Sequence, residues 1–576
     1  MHGTEGKKAN RIIRITIVVA VVIIAAFVVA GFMHHDNRTD SFIGADRAQI
    51  DAYEVTDQGE IGDKTTLARG TRLSEVDGHV VSVNVDTLNI KAEPDQTETK
   101  SLQLELVRVT TACGKEYFVS TENITEDRTD IVRETSVFVR TPVTIYENRK
   151  GPEIAGFAKK GTELQIVSHG KVRKDGTVKK YEVTIPEGCG DGETGYVYGK
   201  YMAATKEEAD AVYNEHGEYD AAKKAKYSFE LYGGSAKNLD YYPVEKPKIK
   251  GAKFCDDARA MYLNYVAAVN DKYYKLAVDS GCNAVVMDVK SGGMAYDSEV
   301  CREYSPTSYK SAYSSKEKYR KYVQKYKDAG IYTIGRIVCF SDGKYAKDNP
   351  DTCIKTSGSS KWPSAYSRKA WEYNVKLAIE AVKEMGFDEI QFDYIRFPET
   401  AYDMSKSKST DFRNEYDEEK AQALQNFCFY AADQIHEAGA YFSIDVFGEA
   451  SNGYVPSYGQ YWPALSNVVD AISSMPYTDH FGDNNTWTNP YGIVYSWAKG
   501  AAKCQKQIPT PAAARTWITG YNTPWWNPTV NYGEAEMKAQ IKALDKAGLE
   551  GGFIPWNSAS DLGKYYQYKG IWKDKK

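Results

Sequence analysis

The chain has 576 residues, of which 42% are hydrophobic and 26% are charged, so sizeable cores are expected and wholesale disorder is excluded. Acidic residues outnumber basic ones by 78 to 73, and this net charge of -5 argues against a nucleic-acid-binding protein. The 9 cysteines are too few for a disulfide-dense scaffold, and none forms a CxxC pair or a Cys/His cluster with zinc spacing. No metal site and no cofactor are therefore predicted.

The N-terminal segment has the length and apolar character of a membrane anchor. Residues 15–33 are uncharged and mostly aliphatic, and as a helix they would cover about 28 Å, close to the thickness of a bilayer core. Basic residues precede this run, and Asp36 and Asp40 follow it. The positive-inside rule then predicts a single-pass protein of the cell membrane with an extracellular catalytic domain. The alternative is a signal peptide cleaved near Val28-Val29-Ala30, which also places the body outside the cytoplasm.

The pattern of the chain predicts seven segments. They are a cytoplasmic N-terminus (1–14), the anchor (15–33), a polar spacer (34–75), a β-rich module (76–132), a small β-barrel (135–203), a helical linker (204–250) and a final domain (251–576). The β-rich module is predicted from stretches of alternating polar and apolar residues. In the small barrel, the phrase at residues 195–202 resembles the end of bacterial SH3 domains. That resemblance implies a cell-wall ligand, and a spacer that binds nothing is the alternative.

Strand and helix patterns alternate through the final domain. The eight predicted strands cover residues 260–265, 284–290, 332–340, 389–397, 441–447, 471–477, 516–521 and 552–556, and amphipathic helices include 316–329, 367–385, 418–438 and 534–547. Eight such repeats predict the α/β class with a parallel (β/α)8 TIM barrel. A doubly wound open sheet is disfavoured, because no GxGxxG phrase follows a first strand and no phosphate-binding loop is present.

The predicted strands carry acidic residues at their carboxyl ends, where such barrels place reacting groups. With side chains alternating between faces, Asp393 of the fourth strand and Asp445 of the fifth strand both point into the barrel. Two carboxyl groups facing one cavity are what glycoside hydrolysis requires. Glu449 lies just beyond the fifth strand and is the alternative to Asp445 as the acid. The simpler interpretation is that Asp393 pairs with Arg336 or Arg396, and Asp288 with Lys290.

Further polar and aromatic residues near the strand ends are predicted to bind substrate. They are Asp288, Lys290, Arg336, Tyr394, Arg396, Tyr477, Asp479, His480, Trp517, Trp556 and Asn557. Tryptophans in the loops, including Trp525 and Trp526, are expected to stack on sugar rings.

Three phrases of the final domain resemble a known family. They are residues 282–290, 386–398 and 445–448, and Phe-Asp-Tyr-Ile-Arg-Phe-Pro at 392–398 is the most specific. They are similar to the "putative glycosyl hydrolase domain", a bacterial domain of unknown function for which a (β/α)8 barrel is predicted. The resemblance covers about residues 256–560 and implies that Asp393 and Asp445 are the motif-matched acids. The sixth strand departs from the family pattern at Ser-Ser-Met-Pro-Tyr, which puts the role of Tyr477 in question.

The leading hypothesis is an anchored extracellular glycoside hydrolase that acts on a cell-wall or extracellular polysaccharide. One alternative is a barrel that binds glycans without cleaving them. A second alternative is a structural protein of the cell envelope whose domains act as spacers.

Overall fold

The computed structural model describes most of the chain outside the N-terminal 40 residues. The described residues are 41–44, 49–71, 73–84, 103–111, 114–126, 135–172, 178–211, 233–358, 362–481 and 486–573. They divide into two compact units. The first takes its residues from 1–140, 161–183 and 198–209, and the second from 141–160, 184–197 and 210–576.

Among the described residues, fourteen strands precede the barrel. They are β1 (Phe42–Ile43), β2 (Gln49–Val55), β3 (Ile61–Ala68), β4 (Leu73–Asn84), β5 (Gln103–Thr111), β6 (Glu116–Ser120), β7 (Ile124–Thr125), β8 (Ser136–Val139), β9 (Val143–Tyr146), β10 (Ile154–Ala158), β11 (Glu163–His169), β12 (Lys180–Thr184), β13 (Thr194–Tyr198) and β14 (Met202–Ala203). A short helix, α1 (Lys206–Asp210), follows them.

The first unit contains two antiparallel sheets and a short strand pair. Strands β2 to β6 form a sheet in the order β3-β2-β6-β5-β4, and β1 pairs with β7. Val107 and Val109 of β5 are buried in one cluster, and Leu106 on the opposite face is buried in another with Tyr53 and Phe118, so both faces of this strand carry buried side chains. Strand β8 lies between β11 and β14, and β11 also pairs with β12. The five strands predicted between residues 135 and 203 are present, and β10 and β14 are additional. The resemblance to SH3 domains remains a prediction.

The second unit combines the β9, β10 and β13 strands with a closed barrel of eight parallel strands. The barrel strands, in spatial and chain order, are β15 (Ala258–Leu263), β16 (Ala284–Lys290), β17 (Tyr332–Val338), β18 (Glu389–Asp393), β19 (Tyr441–Phe447), β20 (Ala471–Met475), β21 (Ala513–Thr519) and β22 (Gly552–Trp556). Pairing of Ala258 with Gly552 closes the cylinder. The predicted (β/α)8 barrel is therefore confirmed.

Helices surround the barrel strands. They are α2 (Tyr265–Ala268), α3 (Asp271–Ser280), α4 (Glu299–Tyr304), α5 (Pro306–Tyr309), α6 (Lys316–Asp328), α7 (Gly343–Asp348), α8 (Arg368–Glu380), α9 (Ala401–Lys406), α10 (Lys420–Ala438), α11 (Trp462–Ser466), α12 (Pro490–Gln505), α13 (Glu534–Ala547) and α14 (Leu562–Gln567). Helix α10 ends at Gly439, whose φ of 104° is the left-handed conformation that a glycine cap permits.

Several predicted elements end earlier than expected, and the largest differences are in β18 and α8. The fourth barrel strand stops at Asp393 instead of Phe397, because Tyr394 adopts a φ of 53° and breaks the extended backbone. The helix predicted over residues 367–385 is α-helical only to Glu380 and continues as one π-helical turn, Ala381–Met385. Such turns insert an extra residue into a helix.

The predicted single-pass membrane localisation is corrected. Within the ranges that the structure describes, no helix combines the length and the apolar character needed to cross a bilayer. Residues 15–33, to which the anchor was assigned, lie outside these ranges. A single-pass membrane protein is therefore not supported.

Candidate active site

The alternation of side chains along β18 places its polar residues inside the barrel. Phe392 points outward and stacks on Phe427 of α10, with ring centroids 5.6 Å apart. Gln391 points inward, where its Nε2 donates to Ser473 Oγ at 3.1 Å. Asp393, two residues further along, shares this inward face and lies at the carboxyl end of the strand. The predicted orientation of this strand is confirmed.

Arg336 of β17 holds three aspartates at the top of the barrel. Its Nη1 donates to Asp288 Oδ1 at 2.6 Å, and its Nη2 donates to Asp393 Oδ2 at 2.5 Å. The Asp445 Oδ2 atom lies 3.7 Å from Arg336 Nε. All four residues are buried. The fork geometry of a guanidinium suits this bridging of two carboxylates from neighbouring strands. Of the two simple ion pairs considered from the sequence, Asp393 with Arg336 is present.

Asp445 is the most enclosed of the three aspartates, with none of its surface exposed. Its Oδ1 accepts a hydrogen bond from Trp517 Nε1 at 2.7 Å, whereas its Oδ2 has no hydrogen-bond partner. Burial, reinforced by the nearby charge of Asp393, raises the pKa of Asp445 well above its usual range. Asp445 therefore lies in an environment that disfavours its charged form.

Asp288 and Arg336 belong to the same cluster, and burial has different net effects on their pKa values. Burial raises the pKa of Asp288, although Arg336 and the hydroxyl of Tyr262, which donates to Asp288 Oδ2 at 2.5 Å, oppose the shift. Burial also opposes the charge on Arg336, but the Asp288 and Asp393 carboxylates more than offset it and raise the pKa of the guanidinium. Arg336 is therefore a permanent positive charge beneath the cavity.

A cavity of about 940 Å³ opens above this cluster at the carboxyl ends of the strands. Such a volume is at the upper end of the roughly 300–1,000 Å³ of ligand pockets. Its wall is formed by Arg336, Asp393, Tyr394, Arg396, Glu399, Phe447, Gly448, Glu449, Asn452, Pro456, Ser457, Tyr458, Met475, Tyr477, His480, Phe481, Trp497, Trp517 and Trp556. The wall thus combines carboxylates with large aromatic faces.

Asp393 and Glu449 are two acids on this wall that neighbouring groups hold in place. Besides its bond to Arg336, Asp393 accepts the backbone N–H of Tyr394 on its Oδ1 at 2.6 Å. The hydroxyl of Tyr458 donates to Glu449 Oε2 at 2.8 Å, and that of Tyr454 donates to Oε1. Each carboxyl group therefore has donors on both oxygens and a fixed orientation toward the cavity.

Arg396 lies on the wall together with a third acid near the rim. Its Nη2 donates to Glu399 Oε1 at 2.9 Å, and its guanidinium lies 4.9 Å from the centroid of the Tyr394 ring. Burial lowers the pKa of Arg396 from its usual value, although Glu399 opposes the shift. Because Glu399 is mostly exposed and paired with Arg396, it is a weaker candidate for acid/base work than Asp393 or Glu449.

The remaining predicted residues divide between the wall and its surroundings. Tyr477, His480, Trp517 and Trp556 contribute to the wall. Asp479 does not, and its Oδ1 instead accepts a hydrogen bond from Tyr521 at 2.7 Å.

Besides Asp479, three predicted substrate-binding residues, Asp288, Lys290 and Asn557, lie away from the cavity wall. The backbone register shifts between Asp288 and Lys290, so the expected pair between them does not form. Lys290 Nζ instead donates to Asp342 Oδ2 at 2.7 Å and to Asn374 at 3.0 Å, in a separate buried cluster. Asn557 is occupied by the backbone of its own loop, because it both donates to and accepts from Asp561.

The sequence pattern gave no signal for some residues of the site. Tyr454 and Tyr458 lie in an irregular stretch after β19, where no periodicity exists to place them. Tyr262, by contrast, lies on the inward face of β15. The alternation of side chains that predicts Asp393 as inward also predicts this position. Among the described residues, no group of three or more His, Cys, Asp or Glu side chains is arranged to hold a metal ion.

Comparisons with known proteins identify one family. The model of the family described as "Putative glycosyl hydrolase domain" matches residues 260–562. No curated protein matches the chain. A hypothetical protein from Ruminiclostridium thermocellum is 30% identical, with coverage of 34% of this chain and 99% of that chain and a TM-score of 0.27.

Two solved glycosidase structures are also similar. The glycoside hydrolase domain of PgaB (BpsB) from Bordetella bronchiseptica is 10% identical, with 55% and 99% of the two chains covered and a TM-score of 0.40. The endo-beta-1,4-mannanase from Thermotoga petrophila is 13% identical, with 54% and 69% covered and a TM-score of 0.36. At these scores the structural similarities carry no argument about the reaction.

Proposed function

The chain belongs to the family described as "Putative glycosyl hydrolase domain", and on that premise we propose that it hydrolyses O-glycosidic bonds of a polysaccharide, with Asp393 and Glu449 as the two carboxyl groups that touch the substrate. The observation that carries this proposal is the placement of both groups on the wall of one cavity of about 940 Å³. Two carboxyl groups facing a sugar-sized space are the minimum machinery for glycoside hydrolysis.

Asp393 is the nucleophile or the general base of the proposed pair. Both of its oxygens accept hydrogen bonds, from Arg336 and from the backbone N–H of Tyr394, and these bonds fix the orientation of the carboxyl group. An ionised carboxylate either attacks the anomeric carbon or removes a proton from the attacking water. Whether the first product keeps or inverts the anomeric configuration distinguishes these two roles.

Glu449 is the proton donor to the leaving oxygen. It lies on the same wall, and the hydroxyls of Tyr454 and Tyr458 fix its orientation. General acids of this kind contribute about 10²–10⁴-fold to the rate.

Asp445 is a positioning residue in this proposal. It is fully buried, and its raised pKa favours the protonated form, which leaves the charge of Arg336 to Asp288 and Asp393. Its bond from Trp517 Nε1 fixes one aromatic face of the cavity. The Asp393/Asp445 pair expected from the sequence is therefore the competing assignment, and it makes a different prediction.

Three isosteric variants separate the two assignments: Asp393→Asn, Glu449→Gln and Asp445→Asn. Each is assayed on polysaccharides and on aryl glycosides whose leaving group needs no protonation. We expect Asp393→Asn to lose about 10²–10⁴-fold on both substrate types. Glu449→Gln should lose activity on polysaccharide but keep most of it on aryl glycosides. Asp445→Asn should retain activity and its pH profile, because asparagine is neutral and still accepts the Trp517 hydrogen bond.

Thermal unfolding of each variant checks that it is folded. A loss in Asp445→Asn as large as that in Asp393→Asn, with the Glu449→Gln variant fully active, would establish the Asp393/Asp445 pair instead. Full activity of Asp393→Asn on both substrate types would remove the proposed chemistry altogether. The polysaccharide panel includes cell-wall preparations, since the resemblance of residues 135–203 to SH3 domains suggests a wall ligand.

One observation favours a second function, a protein that binds glycans without cleaving them. Asp393 is only 4% exposed, and Arg336 already occupies one of its oxygens. A binding protein would show affinity for a polysaccharide with no product, and this affinity would be unchanged in Asp393→Asn.

A further inference from the structure

An exposed tryptophan lies outside the cavity, in the loop that follows β21. All ten tryptophans lie in described residues, and Trp525 alone is exposed, with 62% of its surface accessible. Its ring centroid is 6.1 Å from that of Tyr521, which is 5.9 Å from that of Tyr477 on the cavity wall. A row of three aromatic rings therefore runs from the cavity to the solvent.

Ring stacking and hydrogen bonds hold the base of this loop. Trp526 stacks on Trp487, with centroids 4.3 Å apart and ring planes at 18°. Trp487 is 1% exposed, and its Nε1 donates to the Pro528 carbonyl at 2.6 Å. The hydroxyl of Tyr521 donates to Asp479 at 2.7 Å, which fixes the middle ring of the row. The fold thus presents the indole of Trp525 to water, whereas Trp487 at the base of the loop is buried.

A singly exposed aromatic side chain is common on protein surfaces, but Trp525 is set apart because it ends a row of rings that begins at Tyr477 on the cavity wall. A pyranose ring has an apolar face of C–H groups that packs flat on an indole, while its hydroxyls remain in water. Trp and Tyr suit such contacts because they offer a large rigid surface with few rotatable bonds. A charged or peptide ligand would need ionic or backbone partners in addition.

We propose that Trp525 forms a sugar-binding subsite outside the cavity, which receives units of the same polysaccharide chain that passes through the active site. The inference rests on the proposed function and extends it, because it makes the substrate a polymer that reaches from the cavity past Tyr521 to the loop surface. Asp479 then serves as a positioning residue for Tyr521, and the tyrosine links the two binding regions.

The test compares Trp525→Ala and Trp525→Tyr in the full chain, with Tyr566→Ala as the control. Tyr566 is also exposed, at 52%, but lies in α14 against Lys569 and not on the cavity wall. For a polysaccharide substrate we expect Trp525→Ala to raise KM about tenfold, equivalent to about 1.4 kcal/mol, with little change in kcat. Kinetics on a monosaccharide aryl glycoside should be unchanged, Trp525→Tyr should restore most of the affinity, and Tyr566→Ala should behave as the unmodified protein.

The outcomes separate this inference from the proposed function. If the unmodified protein hydrolyses both substrates and Trp525→Ala leaves the polysaccharide KM unchanged, the subsite is absent although the enzyme assignment stands. An equal loss on the short and the long substrate would place Trp525 in the cavity chemistry and also overturn the subsite. If no glycoside is cleaved, polysaccharide affinity measured in the same variants tests the subsite independently, and equal affinity in all of them refutes it.

Discussion

Replacing Arg336 by methionine tests the electrostatic account of the barrel top. The guanidinium is 3% exposed and donates to Asp288 and Asp393, with Asp445 at 3.7 Å. Methionine fills similar space but leaves these buried carboxyl groups without a counter-charge. Removing one partner of a buried ion pair costs about 3–5 kcal/mol. Since each kcal/mol shifts Tm by about 2–4 °C in domains of about 150–250 residues, a loss of several degrees is expected.

The loss in Arg336→Met should depend on pH. Burial already raises the pKa of Asp288 and of Asp445, and Arg336 opposes both shifts, so its removal raises these two pKa values further. The folded variant then binds more protons than the unfolded chain from about pH 4 upward, and stability falls as pH rises. The deficit relative to the unmodified protein should therefore be smaller at pH 5 than at pH 7.5.

Calorimetric Tm values of the full chain at the two pH values measure both effects. Arg302→Met is the matched control, because Arg302 pairs with Glu299 on an exposed helix surface, and no change in Tm is expected. Arg336→Lys should be intermediate, since one ammonium group does not reproduce the two-pronged donation to Asp288 and Asp393. An unchanged Tm in Arg336→Met, or an equal deficit at both pH values, would refute the reasoning.

Three further predictions concern stability and are measured by thermal unfolding. Gly552→Ala should lower the free energy of unfolding by at least about 2 kcal/mol, because Gly552 has a φ of 105° and an added Cβ would lie 2.2 Å from a backbone oxygen of β15. The control, Gly500→Ala, lies in open space on α12 and should be neutral or stabilising. Equal effects of the two substitutions would contradict this prediction. Burial lowers the pKa of Lys420 to about 8. The free energy of unfolding should therefore rise by up to about 3 kcal/mol between pH 8 and 10.5, because the unfolded lysine still binds a proton there. Lys420→Met should abolish this rise, and a rise of the same size in the variant would show that it does not come from Lys420. Trp517→Phe should cost about 1–3 kcal/mol by leaving Asp445 Oδ1 without its donor, and an unchanged Tm would show that the bond contributes nothing.

The barrel could be predicted from the sequence because its signals are local and repeated. The strands that begin at Ala284, Glu389, Tyr441 and Gly552 start where the apolar runs predict. The period of two along β18 also predicts that Asp393 faces inward. The membrane prediction, which was made from hydropathy and flanking charge, was wrong, because the structure provides no spanning helix in the residues it describes.

The details of the site depend on long-range contacts that a linear pattern does not encode. The sequence suggested that Asp288 pairs with Lys290, its neighbour along the strand, but a shift in register separates them and Arg336 of β17 becomes the partner. Strand alternation likewise predicts that Asp445 is inward, but not that Trp517 of β21, two strands further around the barrel, donates a hydrogen bond to it. Burial of this kind is decided by packing across the cylinder.

The interior of the barrel also contains a second ionic contact, at the opposite end from the cavity. Arg515 of β21 donates to both carboxylate oxygens of Glu389 of β18, and neither side chain has any exposed surface. This ion pair spans the barrel interior and joins two strands that are not neighbours. A fragment that ends after β20 would retain Glu389 and lose Arg515. The eight-stranded barrel is therefore not expected to divide into two halves that fold on their own.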